Sequence, residues 1–141
     1  MLAYYDLEMT MRILWTCVLL LISTVSAAAV PRQVWSCEGI NSTGFKWEND
    51  NWETFNFFPT NYLLTIGEGG TAATLLFDGH QWSFSDCVHS NVALCTSRVG
   101  NTLILNLATG QGAVSSIVAT ALPPDGDIAS SFIERIQCTK V

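Results

Sequence analysis

Residues 72–84 read AATLLFDGHQWSF, and the Asp78-Gly79 pair near their centre separates two short runs that are rich in apolar residues. Asp-Gly between such runs is among the strongest short-range signals for a β-hairpin, because both residues tolerate the positive φ of a tight two-residue turn. We therefore predict that the chain reverses at Asp78-Gly79, with one strand on each side.

Short apolar runs of the same kind continue in both directions from this hairpin, separated by Gly, Asn, Asp and Pro. This spacing is typical of an all-β chain. We predict about eight to ten strands in a small antiparallel meander that closes into a β-barrel, with a β-sandwich as the alternative. The predicted strands are VWSC (34–37), GFKW (44–47), WETFNFF (52–58), YLLTI (62–66), AATLLF (72–77), QWSFSDC (81–87), VALC (92–95), TLILNL (102–107), AVSSIVATAL (113–122) and FIERIQC (132–138).

The N-terminal part of the chain has the pattern of a secretory signal peptide. Arg12 precedes an apolar run, and the small residues 26–29 follow it. This order predicts a signal peptide over residues 1–29, with Met11 as a better start than Met1. An uncleaved membrane anchor is the alternative, because the run approaches the length of a spanning helix. Residues 30–141 are then a single all-β domain, exported to the periplasm or the extracellular space.

Cysteine usage agrees with export. The predicted domain contains Cys37, Cys87, Cys95 and Cys138. Four cysteines in a small exported domain indicate two disulfides, with three possible connectivities. We favour Cys37–Cys138, which would tie the first strand to the last, together with Cys87–Cys95, which would close a short loop. A zinc site of Cys87, His89 and Cys95 is the alternative, but the C-x-x-C spacing of structural zinc sites is missing. We predict no metal and no cofactor.

The charge balance restricts the possible partners. Asp and Glu number 12 against 6 Lys and Arg, and the formal net charge is −6. Nucleic-acid affinity comes mostly from cationic side chains that neutralise phosphates, so we predict no nucleic-acid binding. Contact with a membrane is expected only through the signal segment, if it stays uncleaved. A basic protein partner, in contrast, would be attracted to such a surface.

Two groups of residues contain the side chains of a hydrolase. A Ser/His/Asp set lies around the Asp78-Gly79 hairpin, but no G-x-S-x-G or H-E-x-x-H spacing accompanies it. A carboxylate set lies near the tryptophans, at a predicted turn where solvated acids are common. We therefore predict no catalytic residues and keep a small hydrolase as an alternative. The first set is Asp78, His80, Ser83, Ser85, Asp86 and His89, and the second is Glu48, Asp50 and Glu53.

Residues 45–58 (FKWENDNWETFNFF) form a predicted aromatic hairpin. A turn centred on Asn49-Asp50 places Trp47 opposite Trp52, Lys46 opposite Glu53, and Phe45 opposite Thr54. Side chains alternate across a strand, so Phe55 and Phe57 belong to the other face. Exposed aromatic patches often mark partner sites, and the alternative is that these rings only stabilise the hairpin. The predicted binding residues are Phe45, Trp47, Asn49, Asp50 and Trp52.

The stretch Trp35-Ser36-Cys37-Glu38-Gly39, together with a late cysteine, resembles the start of the bacterial C-type lysozyme inhibitors. The resemblance implies a small antiparallel barrel that blocks a basic enzyme. The inhibitory loop of that family carries Ser and Lys, whereas residues 67–82 of this chain contain no Lys.

These observations predict an exported, disulfide-linked domain with a non-enzymatic binding or inhibitor role. Its partner would be a glycan or cell-wall polymer, or a basic protein. A lysozyme-inhibitor-like protein, a small hydrolase and a structural envelope component are the alternatives. Asn41-Ser42-Thr43 matches the N-glycosylation pattern, and we interpret it as a polar loop.

Overall fold

The computed structural model describes residues 30–117 and 130–141, so the predicted signal peptide and the second half of the strand predicted at 113–122 lie outside the described residues. One short 3-10 turn, Glu68–Gly70, accompanies the strands of this part of the chain. The strands are β1 (Gln33–Glu48), β2 (Asn51–Phe57), β3 (Asn61–Ile66), β4 (Ala73–Phe77), β5 (His80–Phe84), β6 (Asp86–His89), β7 (Val92–Thr96), β8 (Asn101–Asn106), β9 (Gln111–Ser116) and β10 (Ser130–Lys140).

The strands form one antiparallel sheet that is nearly closed into a barrel, which confirms the predicted all-β class. The order of neighbours is β5-β4-β3-β1-β10-β9-β8-β7-β6, and β2 pairs with β1 beside this path. The two edges, β5 and β6, are consecutive in the chain, and the backbone N–H of Cys87 donates to the carbonyl of Thr71 at 3.0 Å across the gap. Within residues 30–117 and 130–141, no helix is long and apolar enough to cross a membrane.

Strand β1 is longer than predicted. Its first half pairs with β3, its second half pairs with β2, and β10 follows it along both halves. The register shifts between Gly39 and Asn41, which marks a bulge. The prediction of separate strands at 34–37 and 44–47 was wrong, because a bulge lets a strand bend and change partner without a turn. Asn41 therefore lies within a strand rather than in a loop.

The predicted strand at 81–87 was also wrong as a single unit. It breaks at Ser85, which separates β5 from β6. The break has a topological reason, since these two strands form opposite edges of the same sheet and are not paired with each other.

The core follows the alternation expected for strands with one face turned inward. Leu103 and Leu105 of β8 are fully buried, and Ile104 between them is 44% exposed. Burying one such side chain stabilises the fold by about 1.5–3 kcal/mol, and the inward-facing side chains together stabilise the sheet. The largest apolar core side chains are Leu64, Ile66, Leu75, Phe84, Leu103, Leu105, Val114 and Ile136.

Disulfides join Cys37 to Cys138 and Cys87 to Cys95, the pairing favoured from the sequence. Each bond links two residues that face each other directly on neighbouring strands, β1 with β10 and β6 with β7. Two disulfides fit an oxidising compartment. Cys87 and Cys95 are bonded to each other, so they are not free to bind zinc with His89.

Candidate binding site

The β1–β2 hairpin has the predicted register. Trp47 pairs with Trp52 and Lys46 with Glu53, across a turn in which Asn49 and Asp50 have φ of 52° and 60°. Two consecutive residues with positive φ match the type I′ turn, whose twist suits a hairpin. Although Lys46 and Glu53 face each other across the hairpin, their side chains do not form an ion pair.

The Lys46 ammonium bends along its own strand instead. Its Nζ lies 3.5 Å from Glu48 Oε2 and 5.4 Å from the centre of the Phe55 ring. The attraction between the ammonium group and the Phe55 ring replaces part of the attraction that Lys46 would have to the Glu53 carboxylate on the opposite strand.

The predicted binding residues lie together on the β1–β2 hairpin and its turn. Phe45 is 48% exposed, Trp47 and Trp52 are half-buried, and Asn49 and Asp50 are exposed at the tip. The two indole rings lie 5.4 Å apart at 68°, so the edge of one meets the face of the other. Such a pair does not form one flat platform. The role of these five residues in binding stays a prediction.

The opposite face of the hairpin joins a longer row of aromatic rings. Phe55 contacts Phe57 at 5.0 Å between ring centres, and Phe57 contacts Phe132 of β10 at 5.9 Å. From Phe132 the ring contacts continue into the end of the barrel at separations of 4.9 to 6.0 Å. These further rings are Trp82, Phe77 and Tyr62.

A cavity of about 300 Å³ opens between the hairpin and the barrel end, and we call it the aromatic cleft. Its volume is at the lower end of the range of ligand sites, about 300–1,000 Å³. Phe58, in the connection between β2 and β3, is 93% exposed at its edge. Asp78 and His80 are exposed at the rim. The rings that line the cleft are Phe57, Phe58, Tyr62, Phe77 and Phe132.

The floor of the aromatic cleft carries a buried carboxylate. Glu134 is only 2% exposed, and its Oε1 accepts a hydrogen bond of 2.8 Å from the backbone N–H of Thr60. The Tyr62 hydroxyl is also hydrogen-bonded to this carboxylate. Burial raises the pKa of Tyr62, and the negative charge of Glu134 raises it further, so the hydroxyl stays protonated and donates.

Two neighbours of Glu134 explain how the carboxylate fits. Gly39 faces it, and a Cβ at this position would collide with Glu134 Oε1 and with the backbone of Thr60. Ser42, which pairs with Glu134 across β1 and β10, is 5% exposed. Ser42 lines the cleft, and its buried hydroxyl has no hydrogen-bond partner.

The charge of Glu134 has no counter-ion within the described residues. The ion pair in the described part of the chain joins Lys46 to Glu48 on the exposed hairpin, away from Glu134. A buried charge is costly unless it is paired or hydrogen-bonded, and here two hydrogen-bond donors supply the compensation. The carboxylate can accept further donors, because its two oxygens offer about four acceptor positions.

The structure does not assemble the predicted hydrolase residues. Ser85 donates to Asp86 at 3.3 Å, His89 lies 3.5 Å from the side-chain amide of Gln33, and the His80 ring packs 5.8 Å from Phe77. Within the described residues, no hydrogen bond links either histidine to a serine or an acid. The carboxylates of the second set surround the exposed hairpin tip. The absence of enzymatic activity stays a prediction.

Sequence reasoning missed the residues at the floor of the cleft, Ser42, Tyr62 and Glu134. One signal was available in FIERIQC (132–138), where Glu134 has the same alternating position as Phe132 and Ile136. A carboxylate on the apolar face of a strand is a rare arrangement, because acids are almost never fully buried without partners.

No family model, curated protein or solved structure matches this chain. The resemblance to C-type lysozyme inhibitors therefore depends on residues 35–39 and the late cysteine alone.

Proposed function

We propose that this protein is a non-enzymatic binding domain that acts outside the cytoplasm, in the periplasm or the extracellular space, and holds a basic protein partner. The observation that carries the proposal is a group of exposed aromatic rings, of which Phe58 borders the aromatic cleft while Phe45 and Phe55 lie on opposite faces of the adjoining hairpin. Phe58 is 93% exposed, Phe45 48% and Phe55 40%. Exposed aromatic side chains are costly in water and are enriched at the centres of protein interfaces.

Charge supports a basic partner. The chain carries a formal net charge of −6, which raises the encounter rate with a cationic protein and slows it with an anionic one. A glycan is the less favoured partner, because the crossed rings of Trp47 and Trp52 do not provide a shared flat face for a sugar.

The proposal is tested by measuring binding of the purified protein to basic and acidic probe proteins. Suitable basic probes are a C-type lysozyme and cytochrome c, with serum albumin as the acidic probe and insoluble peptidoglycan as the glycan probe. We expect binding to at least one basic probe, with an affinity that falls as salt is raised from about 50 mM to about 300 mM. Binding to peptidoglycan alone, with no dependence on salt, would contradict the proposal.

A matched pair of variants locates the surface. Phe58→Ser removes a ring at the cleft that is 93% exposed, and Val88→Ser removes an apolar side chain on β6 that is 69% exposed. Neither change opens a cavity, so both proteins should keep the wild-type unfolding midpoint. We expect Phe58→Ser to weaken binding about tenfold or more, as loss of an interface aromatic does, and Val88→Ser to leave it unchanged. Equal effects of the two substitutions would place the surface elsewhere.

A further inference from the structure

The aromatic cleft combines two features that point to one kind of ligand. Its walls are aromatic rings, whose faces carry partial negative charge and attract cations within about 6 Å. Its floor is the Glu134 carboxylate, which is buried and lacks a counter-ion among the described residues. A cation that entered the cleft would meet a negative potential from both the walls and the floor.

Ser42 supplies an independent observation. This residue lines the cleft, and its hydroxyl is buried and has no partner, although a buried hydroxyl without a hydrogen bond costs about 1–3 kcal/mol. A ligand with several N–H donors would satisfy this oxygen and the carboxylate together, since Ser42 and Glu134 face each other across β1 and β10.

The chemistry of these groups excludes other ligand classes. An anion would be repelled by Glu134, and a purely apolar side chain would leave both the carboxylate and the Ser42 hydroxyl without new partners. A neutral sugar could donate hydrogen bonds but would leave the carboxylate without a counter-ion. An ammonium or guanidinium group on an alkyl stem provides the charge, the donors and an apolar stem that packs against Phe57 and Phe132.

We infer that the aromatic cleft binds the side chain of a Lys or Arg residue, with the cationic group against the Glu134 carboxylate and the Ser42 hydroxyl, and with the alkyl stem between the rings. The inference rests on the proposed function, since it names the group of the basic partner that enters the domain. A cavity of about 300 Å³ has room for one such side chain.

The test uses small probes that carry this chemistry without the rest of a protein. Nα-acetyl-lysine methylamide and Nα-acetyl-arginine methylamide are titrated into the full protein, with Nα-acetyl-norleucine methylamide as an uncharged analogue of similar length. Binding is followed by NMR through the Thr60 amide, which donates to Glu134. We expect one or both cationic probes to bind with roughly millimolar affinity, and the norleucine probe to bind about tenfold more weakly or not at all.

Glu134→Gln removes the charge and keeps a similar shape, and Glu53→Gln is its control, with the same charge change on the exposed hairpin. We expect about tenfold weaker binding of the cationic probe for Glu134→Gln and no change for Glu53→Gln. If Glu134→Gln does not fold, Ser42→Ala serves instead. It removes an unpartnered hydroxyl, so folding is preserved while binding weakens about threefold.

The outcomes separate this inference from the proposed function. If basic proteins bind but the cationic probes do not shift the Thr60 amide, the cleft does not hold a cationic side chain and the inference is overturned alone. If the cationic probes bind at the cleft but no basic protein binds, the inference is supported and the proposed partner class is wrong. Equal binding of the lysine and norleucine probes would also overturn the inference.

Discussion

The two disulfides should contribute unequally to stability. They close loops of very different size, with sequence separations of 101 residues for Cys37–Cys138 and 8 for Cys87–Cys95. A cross-link stabilises the fold mainly by restricting the unfolded chain, and the effect grows with the logarithm of the loop length. This relation gives about 4.7 kcal/mol for a loop of about 100 residues and about 2.5 kcal/mol for the short one.

The difference in stabilisation between the two bonds is set by loop length. Replacing each pair with alanine removes the same atoms, and three of the four cysteines are buried, so the losses of packing are similar. We therefore expect the Cys37→Ala/Cys138→Ala variant to lose about 2 kcal/mol more free energy of unfolding than the Cys87→Ala/Cys95→Ala variant.

Urea unfolding followed by tryptophan fluorescence measures this difference. Extrapolated free energies should be compared rather than midpoints, because an unfolded chain without the long cross-link exposes more surface and raises the denaturant slope. Equal losses in the two variants, or a larger loss for the short loop, would refute the argument from loop entropy. The bonds would then act through native packing.

Three further predictions concern individual residues. Gly39→Ala should lower the free energy of unfolding by about 2 kcal/mol or more in urea titrations, because its Cβ would collide with Glu134. The control is Gly67→Ala, whose Cβ would make only an ordinary contact at 3.5 Å. This control should lower the free energy of unfolding by about 1 kcal/mol or less. In a chain that begins at residue 30, Tyr62 is the only tyrosine, and its tyrosinate absorbance should rise only well above pH 10.0, the ordinary pKa. Because folding raises this pKa, the stability contribution of Tyr62 is fully present below about pH 10 and is lost as the pH rises toward the pKa of the folded state. A Tyr62→Phe variant should therefore lose less stability than the wild type over that pH range. Asp50→Gly should raise the free energy of unfolding by about 0.5–1 kcal/mol and thereby the thermal midpoint, because φ is 60° at this position of the turn. An unchanged or lower midpoint would show that the aspartate is not strained there.

Local patterns were sufficient to predict much of the fold. Asp78 and Gly79 both have positive φ in the turn between β4 and β5, and Asn49-Asp50 sets the register of the first hairpin. These turns depend on adjacent residues alone, so the sequence carries their full signal. The cysteine pairing was also accessible, because strands at the two ends of a closed meander become neighbours.

Other features depend on residues that are distant in the chain. The need for glycine at position 39, beside the bulge, comes from Glu134 and Thr60, which occupy the space that a side chain would need. The break at Ser85 is determined by the position of β5 and β6 at opposite edges of the sheet. No local pattern contains these contacts, because each one exists only after the whole sheet has formed.

The candidate site was only partly predictable for the same reason. Phe55 and Phe57 could be assigned to one face of the hairpin by alternation. The cleft itself requires β10 to place Phe132 and Glu134 beside that face, and β4 and the chain before β3 to contribute Phe77 and Thr60. The aromatic hairpin was correctly identified as a structural unit, but the deepest polar groups lie on its inward side rather than beside the tryptophan pair.

The pairing of β1 with β10 has a consequence for how the molecule is made. These strands are the first and last of the described sheet, and they hydrogen-bond along nearly their whole length. During synthesis, β1 therefore has its hairpin partners long before β10 leaves the ribosome. Contacts between such distant residues form slowly, since the intervening chain must first be drawn together. We therefore expect the pairing of β1 with β10 to be a late step of folding, after the hairpins between strands that are neighbours in the chain.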